Sequence, residues 1–270
     1  MNEISIVTAF FDIGRGEWTP DKGLPHYLHR TTDTYLERFS HMAKLENDMV
    51  IFTSEDLADK IHKLREDRPT EIVVVDFKNV LPHVRDKISE IQNSSEYKNK
   101  IQPSQAKNPE YWNADYVLVN ALKSSFVRQS IQHNLFKNNS DHMVAWLDFG
   151  YCRDASTLNG VKQWCYPFDK EKIHFFTIKD FDKNKSISDI IFSNDVHITG
   201  PCIVASKPMW AQLEMLVNHS LNELLKNNLI DDDQTLLLMS YLSAPNLFNL
   251  HKVSPDDWFV AFKDYNENIS

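Results

Sequence analysis

Short apolar runs alternate with amphipathic stretches along the N-terminal part of the chain. The runs at residues 4–11, 49–53 and 71–76 are rich in β-branched residues and have the length of buried β-strands. Between them, apolar positions recur with a helical period at residues 31–45 and 54–65. This β-α-β-α-β succession predicts a parallel sheet with helices on its faces.

The pattern of apolar positions predicts further helices and strands toward the C-terminus. The strand at residues 143–148 is short and apolar, as expected for a buried strand, and the two later strands are expected to form an antiparallel part. The elements together predict a mixed α/β fold, in which a mostly parallel sheet is flanked by helices and continued by a smaller antiparallel part. The later helices are predicted at 79–97, 116–135, 208–226 and 234–242, and the later strands at 143–148, 173–178 and 196–205.

Composition and charge narrow the class of protein. The chain has 270 residues, of which 42% are hydrophobic and 25% charged, and its formal net charge is −9. This acidic balance excludes the electrostatic footprint of a nucleic-acid-binding protein. No repeat or linker interrupts the pattern, so we expect a single domain over residues 1–270. Three cysteines without a Cys-x-x-Cys pair, an acidic start and no apolar run of about 20 residues predict a cytoplasmic protein.

Two acidic motifs lie at positions suited to a ligand site. Asp148 follows the apolar run Val144-Ala145-Trp146-Leu147, and a residue at such a strand end faces the crevice where open α/β sheets bind ligands. Asp231-Asp232-Asp233-Gln234 opens a leucine-rich helix, and a packed helix can hold a carboxylate in a fixed position. Each motif also has a structural interpretation, because Asp148 can cap a turn and the later acids can form a helix N-cap and first turn. We interpret both as parts of one site for a phosphorylated, metal-bound substrate.

These motifs occur in order together with other segments of a known family. The opening run at residues 6–15, the central motif at 146–150, and residues 232–234 with 257–259 resemble the bacterial HtrL/YibB-like proteins over nearly the whole chain. Members of that family are similar to glycosyltransferases of the GT-A fold and are associated with the assembly of lipopolysaccharide or lipooligosaccharide. The resemblance implies a GT-A-like sheet in this chain as well.

The resemblance also implies an activity, partners and a division of the domain. A nucleotide-sugar donor, with a UDP-sugar as the first expectation, would give its sugar to a glycan or glycolipid acceptor, with peripheral contact at the inner face of the membrane. Residues 1–150 would form the nucleotide-binding half, and residues 151–270 the acceptor-side half. The implied catalytic residues are Asp233, as general base or acceptor ligand, and Asp232. The implied donor-binding residues are Thr8, Ala9, Phe10, Asp12, Arg15, Lys123, Asp148, Gly150 and Gln234. The residues themselves add His197 and Gly200 to this set, because a glycine lets a ligand approach the backbone closely.

The implied cofactor is a divalent metal, Mn²⁺ or Mg²⁺, with Asp148 and His251 as its ligands. The GT-A pattern places a second acid two residues after the first, and this sequence has Gly150 at that position. One usual ligand is therefore missing, and Asp154 is close enough in sequence to substitute for it.

Some residues of this set have an equally simple structural interpretation. The helical pattern alone places Lys123 on a solvated helix face, and Arg15 is either an exposed loop cation or a contact for the diphosphate or the base. A lone histidine on a strand, such as His197, is more often structural than functional. The aromatic residues Trp258 and Phe259 can either pack in the core or stack on a sugar.

Two other functions remain open at the level of sequence. Because Gly150 replaces a carboxylate, the chain could be a catalytically silent relative that binds a nucleotide sugar on the same scaffold. The third hypothesis is a metal-dependent hydrolase of sugar nucleotides, although no Gly-rich phosphate loop or nucleophile motif favours it.

Overall fold

One sheet runs through the computed structural model, which describes residues 3–136 and 143–267 of the chain. Both ends of the expected 1–270 domain therefore lie outside the described residues. The strands are β1 Ile4–Phe10, β2 Met49–Thr53, β3 Thr70–Val74, β4 Met143–Leu147, β5 Ile173–Thr177, β6 Ile198–Ser206 and β7 Phe248–Lys252. Their order across the sheet is β3-β2-β1-β4-β6-β5-β7.

Most neighbouring strands of this sheet run parallel. β1 pairs in parallel with β2 and β4, β2 pairs in parallel with β3, and β5 pairs in parallel with β7. β6 runs antiparallel to both of its neighbours, β4 and β5. The expected α/β class, with a mostly parallel sheet and a smaller antiparallel part, is thus confirmed.

Two of the expected helices are divided, and the helices Ile187–Ser193 and Ala261–Asp264 were not expected. The helix expected at 79–97 is divided because Ser94 ends the helix Pro82–Asn93, and its side chain caps the helix Ser95–Lys98 by accepting a hydrogen bond from a backbone N–H. The helix expected at 116–135 breaks at Leu122, and a second helix begins at Lys123. No helix in the described part of the chain is long and apolar enough to cross a membrane. The helices are α1 Thr32–Met42, α2 Glu55–Arg65, α3 Pro82–Asn93, α4 Ser95–Lys98, α5 Ala114–Ala121, α6 Lys123–Gln132, α7 Ile187–Ser193, α8 Lys207–Lys226, α9 Asp233–Ser243 and α10 Ala261–Asp264.

Two apolar layers, one on each face of the sheet, hold the structure together. Successive side chains of a strand point to opposite faces, so Ile4 and Ile6 of β1 belong to one layer while Val7 and Ala9 belong to the other. The first layer packs against α1 and α2, and the second packs against α6, α8 and α9. Burying one large apolar side chain completely contributes about 1.5–3 kcal/mol, so these layers supply the main stabilisation of the fold.

The connections of β1 and β4 create an opening at the carboxyl ends of these two central strands. From β1 the chain crosses to β2 and β3 on one side, and it then returns to β4 on the other side of β1. At such a reversal in a parallel sheet, the loops after the strands diverge and leave a crevice at the carboxyl ends. The residues that follow Phe10 and Leu147, the last residues of β1 and β4, therefore border the same crevice.

Candidate functional site

A cavity of about 230 Å³ occupies the crevice at the carboxyl ends of β1 and β4. It joins the two acidic motifs to the loop after β1. The residues expected from the sequence that line it are Ala9, Phe10, Asp12, Arg15, Lys123, Asp148, Gly150, Gly200, Asp232, Asp233 and Gln234. Lining residues that the sequence analysis did not single out include Arg30, Tyr35, Tyr116 and Asn120.

Lys123 lies between the two acidic motifs. Its ammonium nitrogen is 2.8 Å from Asp148 Oδ1 and 2.7 Å from Asp233 Oδ2. It also donates to the carbonyl oxygen of Gly200 at 3.1 Å. The indole N–H of Trp146 donates to the same Asp148 oxygen at 2.9 Å. The solvated helix face expected for Lys123 is wrong, because α6 begins at this residue and its side chain is buried in the site.

Burial and charge act on these groups in opposite directions. Burial on its own lowers the pKa of Lys123, but Asp148 and Asp233 outweigh it and raise that pKa, so the ammonium stays charged. Burial raises the pKa of Asp233, and the opposing effect of Lys123 does not cancel this rise. Burial, together with the charges of Asp233 and Asp231, also raises the pKa of Asp232 well above its usual range. Asp232 and Asp233 thus keep a proton more readily than exposed carboxyl groups do, and Asp233 does so although it contacts the Lys123 ammonium.

The acids before α9 have different contacts. The Asp232 carboxylate accepts a hydrogen bond from the backbone N–H of Gln234 at 3.0 Å, which is the contact of a helix N-cap. Asp231 accepts a hydrogen bond from the Thr235 hydroxyl at 2.6 Å and does not line the cavity. Asp232 therefore both caps the helix and lines the cavity, and Asp233 is the acid of this motif that pairs with the buried cation.

Gly200 on β6 is required by the close approach of Asp233. A Cβ atom at position 200 would lie 1.6 Å from Asp233 Oδ2, which is far inside van der Waals contact. Gly200 was expected to let a ligand approach the backbone, whereas the group that approaches is the Asp233 carboxylate. Gly200 therefore acts on the site by positioning this acid.

The loop after β1 is held by polar and aromatic contacts. Asp12 accepts a hydrogen bond from the Thr32 hydroxyl at 2.8 Å. The Arg15 guanidinium donates to the Tyr35 hydroxyl at 2.7 Å and lies 5.1 Å from the centre of the Trp18 ring. Arg15 is thus a fixed part of the cavity wall, and the exposed-cation interpretation does not describe it.

Two of the expected donor-binding residues lie outside the cavity. Thr8 is fully buried in the interior of β1, where the neighbouring strands and helices cover its side chain. His197 is also buried, with Nδ1 3.2 Å from the carbonyl oxygen of Asp180 and Nε2 3.3 Å from a carboxylate oxygen of Asp195. Its contacts match the structural interpretation of a lone histidine.

The expected metal ligands Asp148 and His251 do not come together. His251 lies within β7, three strands away from β4 in the sheet, and neighbouring strands are about 4.8 Å apart. Its Nε2 is 2.8 Å from Nδ1 of His174. Burial and this neighbour lower the pKa of His251 to about 4, so the ring is neutral and engaged elsewhere.

The surroundings of Asp148 do not fit the implied metal. The Lys123 ammonium already lies where a cation would contact the Asp148 carboxylate. Asp154, the proposed substitute ligand, caps the turn that follows it and does not line the cavity. Within residues 3–136 and 143–267, no group of three or more His, Cys, Asp or Glu side chains is arranged to hold a metal ion.

The cavity also has arginine residues that no motif marked. Arg30, just before α1, and Arg153, in the loop after β4, both line it. Arg38 of α1 lies beside them, with its Cδ 3.5 Å from the place that a Cβ at Gly150 would occupy. Arg30 and Arg38 lie far from either acidic motif along the chain, so the sequence does not connect them with the site. Of these three arginines, only Arg153 lies near an acidic motif in the sequence, three residues after Gly150.

Two solved structures resemble the chain weakly. A PaToxG glycosyltransferase superposes with a TM-score of 0.33 and 10% identity, over 90% of this chain and 70% of the other. A transferase mutant superposes with a TM-score of 0.37 and 13% identity, over 99% of this chain and 93% of the other. With TM-scores this low, the sheet topology itself, rather than either likeness, defines the fold.

Sequence comparison gives stronger relationships. The protein HtrL of Escherichia coli (strain K12) is 41% identical over 267 residues, which cover 98% of this chain and 93% of HtrL. The family described as bacterial protein of unknown function (HtrL_YibB) matches residues 2–267, a range that includes every residue lining the cavity. The chain therefore belongs to the HtrL/YibB family, as its motifs predicted.

Proposed function

We propose that the protein is a glycosyltransferase, which moves a sugar from a nucleotide-sugar donor to a glycan acceptor of the lipopolysaccharide or lipooligosaccharide type. The observation that carries this proposal is the cavity in which the loop after β1 meets both acidic motifs. Nucleotides bind at this place in open α/β sheets. A UDP-sugar is the donor that we expect first, and a glycolipid acceptor would bring the protein to a membrane surface.

The two acids of the site differ in a way that suits two roles. The Asp148 side chain is 38% exposed, whereas that of Asp233 is 8% exposed. We expect the more exposed carboxylate of Asp148 to face the bound donor. The buried carboxyl of Asp233, whose pKa is raised, is suited to take a proton from the acceptor hydroxyl near neutral pH. Lys123 holds both groups in place and acts as a positioning residue.

An aromatic wall is available for the sugar. Trp258 and Phe259 both line the cavity. Phe259 packs edge-on against Tyr151, with ring centroids 5.2 Å apart, and the Arg153 guanidinium lies 4.3 Å from the centre of the Phe259 ring. Trp258 is therefore the ring whose face we assign to sugar stacking, and Phe259 supports it.

A binding protein without turnover is the second candidate, and Lys123 is the observation that favours it. Its ammonium group contacts both acids, so a fixed cation offsets the negative charge of each carboxylate. Such a site would bind a nucleotide sugar and leave the sugar bond intact.

The test is the release of nucleoside diphosphate from a panel of UDP-, GDP- and dTDP-sugars, with truncated lipopolysaccharide as the acceptor. We expect the wild-type protein to release it with at least one donor and to add one sugar to the acceptor, as measured by mass spectrometry. Asp148→Asn keeps the shape and removes the charge, so it should abolish transfer and weaken donor binding. Asp233→Asn should lower turnover by about 10²–10⁴-fold and leave donor affinity largely unchanged.

The matched control is Asp86→Asn, because Asp86 is exposed on α3 and does not line the cavity. Its turnover should equal that of the wild type. Normal transfer by both Asp148→Asn and Asp233→Asn would contradict the roles given to these two acids. No release of nucleoside diphosphate from any donor, together with no donor binding, would contradict the proposed function. Donor binding without turnover by the wild-type protein, with every acceptor, would instead support the binding protein.

A further inference from the structure

Four arginine side chains gather at the wall that α1 and the loops after β1 and β4 form. We call Arg15, Arg30, Arg38 and Arg153 the arginine cluster. Arg15, Arg30 and Arg153 line the cavity, and Arg38 packs beside Gly150. These side chains come from three separate segments, so they meet only when the chain folds.

The charges of the cluster act on one another. Desolvation and then the charge of Arg30 lower the pKa of Arg38, and Arg15 contributes further. Much of Arg153 is exposed, yet its guanidinium is crowded against the cavity wall: desolvation and the charges of Arg30 and Arg38 lower its pKa to about 10. A chain with a formal net charge of −9 thus concentrates positive charge at one wall of this cavity.

No carboxylate of a described residue forms an ion pair with the arginine cluster. The ion pairs made by arginines in the described part of the chain belong to Arg68, Arg85 and Arg128. In the cluster, the nitrogens Arg15 Nε and Arg38 Nη1 have no hydrogen-bond partner in the protein. The charge of Asp148 acts on Arg153 from a distance but does not prevent the lowering of its pKa. Positive charge that is partly removed from water and has no ion-pair partner is unfavourable, so the cluster favours a bound anion.

The opposite wall of the cavity does not offer this positive charge. The Lys123 ammonium is the other cation among the described lining residues, and Asp148 and Asp233 already contact it at 2.8 and 2.7 Å. The metal that the family resemblance implies does not fit at Asp148, for the reasons given above. Phosphate groups entering the cavity therefore meet, at the arginine cluster, guanidinium groups that form no ion pair with a carboxylate of the described residues.

We propose that the arginine cluster binds the diphosphate of the donor and takes the place of a divalent metal; this rests on the proposed function, because a nucleotide sugar is the ligand. A guanidinium group can donate two parallel hydrogen bonds to phosphate oxygens, and it remains charged at any physiological pH. The cluster is thus matched to a ligand that carries two adjacent phosphate groups.

The cluster has a defined part in the transfer step. The bond between the anomeric carbon and the diphosphate oxygen breaks, and its electron pair remains on the nucleoside diphosphate. The acceptor oxygen bonds to the anomeric carbon and gives its proton to Asp233. Negative charge develops on the leaving diphosphate, and preorganised guanidinium donors stabilise it in the transition state.

The experiment is isothermal titration with UDP, inorganic pyrophosphate and uridine, each in buffer that contains EDTA. The wild-type protein should bind UDP and pyrophosphate without metal, and uridine at least tenfold more weakly than UDP. Arg30→Gln and Arg153→Gln should each weaken the binding of both UDP and pyrophosphate by about tenfold, because each removes a charge-assisted contact. Added Mn²⁺ should not restore this affinity.

Arg68→Gln is the control, because Arg68 pairs with Glu66 on the surface and lies outside the cavity. Its affinity for UDP should equal that of the wild type. Arg153 is exposed, so Arg153→Gln should fold normally and carries the test if Arg30→Gln does not fold.

Three results would overturn the inference. These are wild-type binding of UDP that requires Mn²⁺, unchanged binding of UDP by the two cavity variants, and a wild type that binds neither UDP nor pyrophosphate. The inference and the proposed function fail separately. Metal-dependent transfer would remove the inference alone, whereas metal-free pyrophosphate binding that needs the arginines, without any transfer, would remove the proposed function alone.

Discussion

At the scale of single residues, Lys123 is the buried charge on which the site depends. Its side chain is 7% exposed and contacts a carboxylate from each acidic motif. An intact buried ion pair contributes little net stability, because desolvation of the charges offsets their attraction. Removing one partner is costly, since it leaves the other charge buried without compensation. We therefore expect the removal of Lys123 to lower the free energy of unfolding by more than its intact ion pairs contribute to it.

Replacing Lys123 by methionine tests this dependence. Lys123→Met keeps most of the volume and leaves Asp148 and Asp233 close together without the cation. We expect the free energy of unfolding to fall by about 3–5 kcal/mol at pH 8. The loss should be smaller at pH 5, because the pKa of Asp233 rises further without the cation, and a protonated Asp233 does not repel Asp148. Urea unfolding followed by circular dichroism at both pH values measures the difference.

The control for this variant is Lys226→Met. Lys226 pairs with Glu223 on the surface, with side chains 70% and 38% exposed, so its loss should cost less than about 1 kcal/mol at either pH. Equal stability of Lys123→Met and the wild type at pH 8 would mean that the acids do not depend on this cation.

At the scale of elements, the approach of α9 to β6 fixes the position of Asp233. α9 begins at Asp233, and Asp232 caps it. The carboxylate of its first residue fits against β6 only because position 200 has no side chain. The distance between these two elements, rather than either element alone, therefore places the proposed general base.

The substitution Gly200→Ala adds one methyl group between β6 and α9. Its Cβ would overlap Asp233 Oδ2, so α9 or the carboxylate must move. We expect a loss of about 1–3 kcal/mol in the free energy of unfolding, as for other overpacked sites. A displacement of about 1 Å at a reacting group can cost about 10²-fold in turnover. Thermal unfolding and the sugar-transfer assay measure the two effects.

Gly16→Ala is the matched substitution, because a methyl group there would meet Thr31 at 3.9 Å, an ordinary contact. Its melting temperature should remain close to that of the wild type. A Gly200→Ala protein with unchanged melting temperature and turnover would show that Asp233 can occupy another position without loss.

At the scale of the whole molecule, buried acids make the stability depend on pH. Burial, with a smaller effect of Asp232, raises the pKa of Glu110 to about 8. Burial and the charge of Glu110 raise that of Asp231 to about 8 as well. Because the folded protein holds these protons more tightly than the unfolded chain does, their stabilisation is complete below the usual carboxyl pKa. It is lost as the pH rises toward 8.

A neutral replacement should remove part of this dependence. Glu110→Gln has nearly the shape of the protonated acid and cannot ionise. We expect it to unfold with a free energy about 1–3 kcal/mol larger than that of the wild type at pH 8, with the difference vanishing near pH 4. Urea unfolding across this pH range measures it. The exposed Glu96→Gln should show no such gain, and a Glu110→Gln protein less stable than the wild type at pH 8 would contradict the assignment.

Local patterns along the chain determined most of the elements of this protein. Strand β2 was predicted with its observed bounds, and α9 to within one residue at each end, because apolar periodicity and capping act over a few neighbouring positions. The break at Leu122 was not predicted, since apolar positions continue with a helical period across it. The family could also be predicted from the sequence, because its motifs are short and occur in order.

The α/β class, the family and the assignment of Asp148 and Asp233 to one crevice thus followed from local motifs along the chain. The other charges that share this crevice could be identified only from the folded structure. It placed Lys123 between the acids, gathered the arginine cluster from distant segments, and kept His251 three strands away. Burial and charge pairing depend on contacts between residues that are distant in sequence, so local patterns do not reveal them. A shift of one residue in a strand, or a break in a helix, also turns a side chain in another direction while the apolar pattern stays the same.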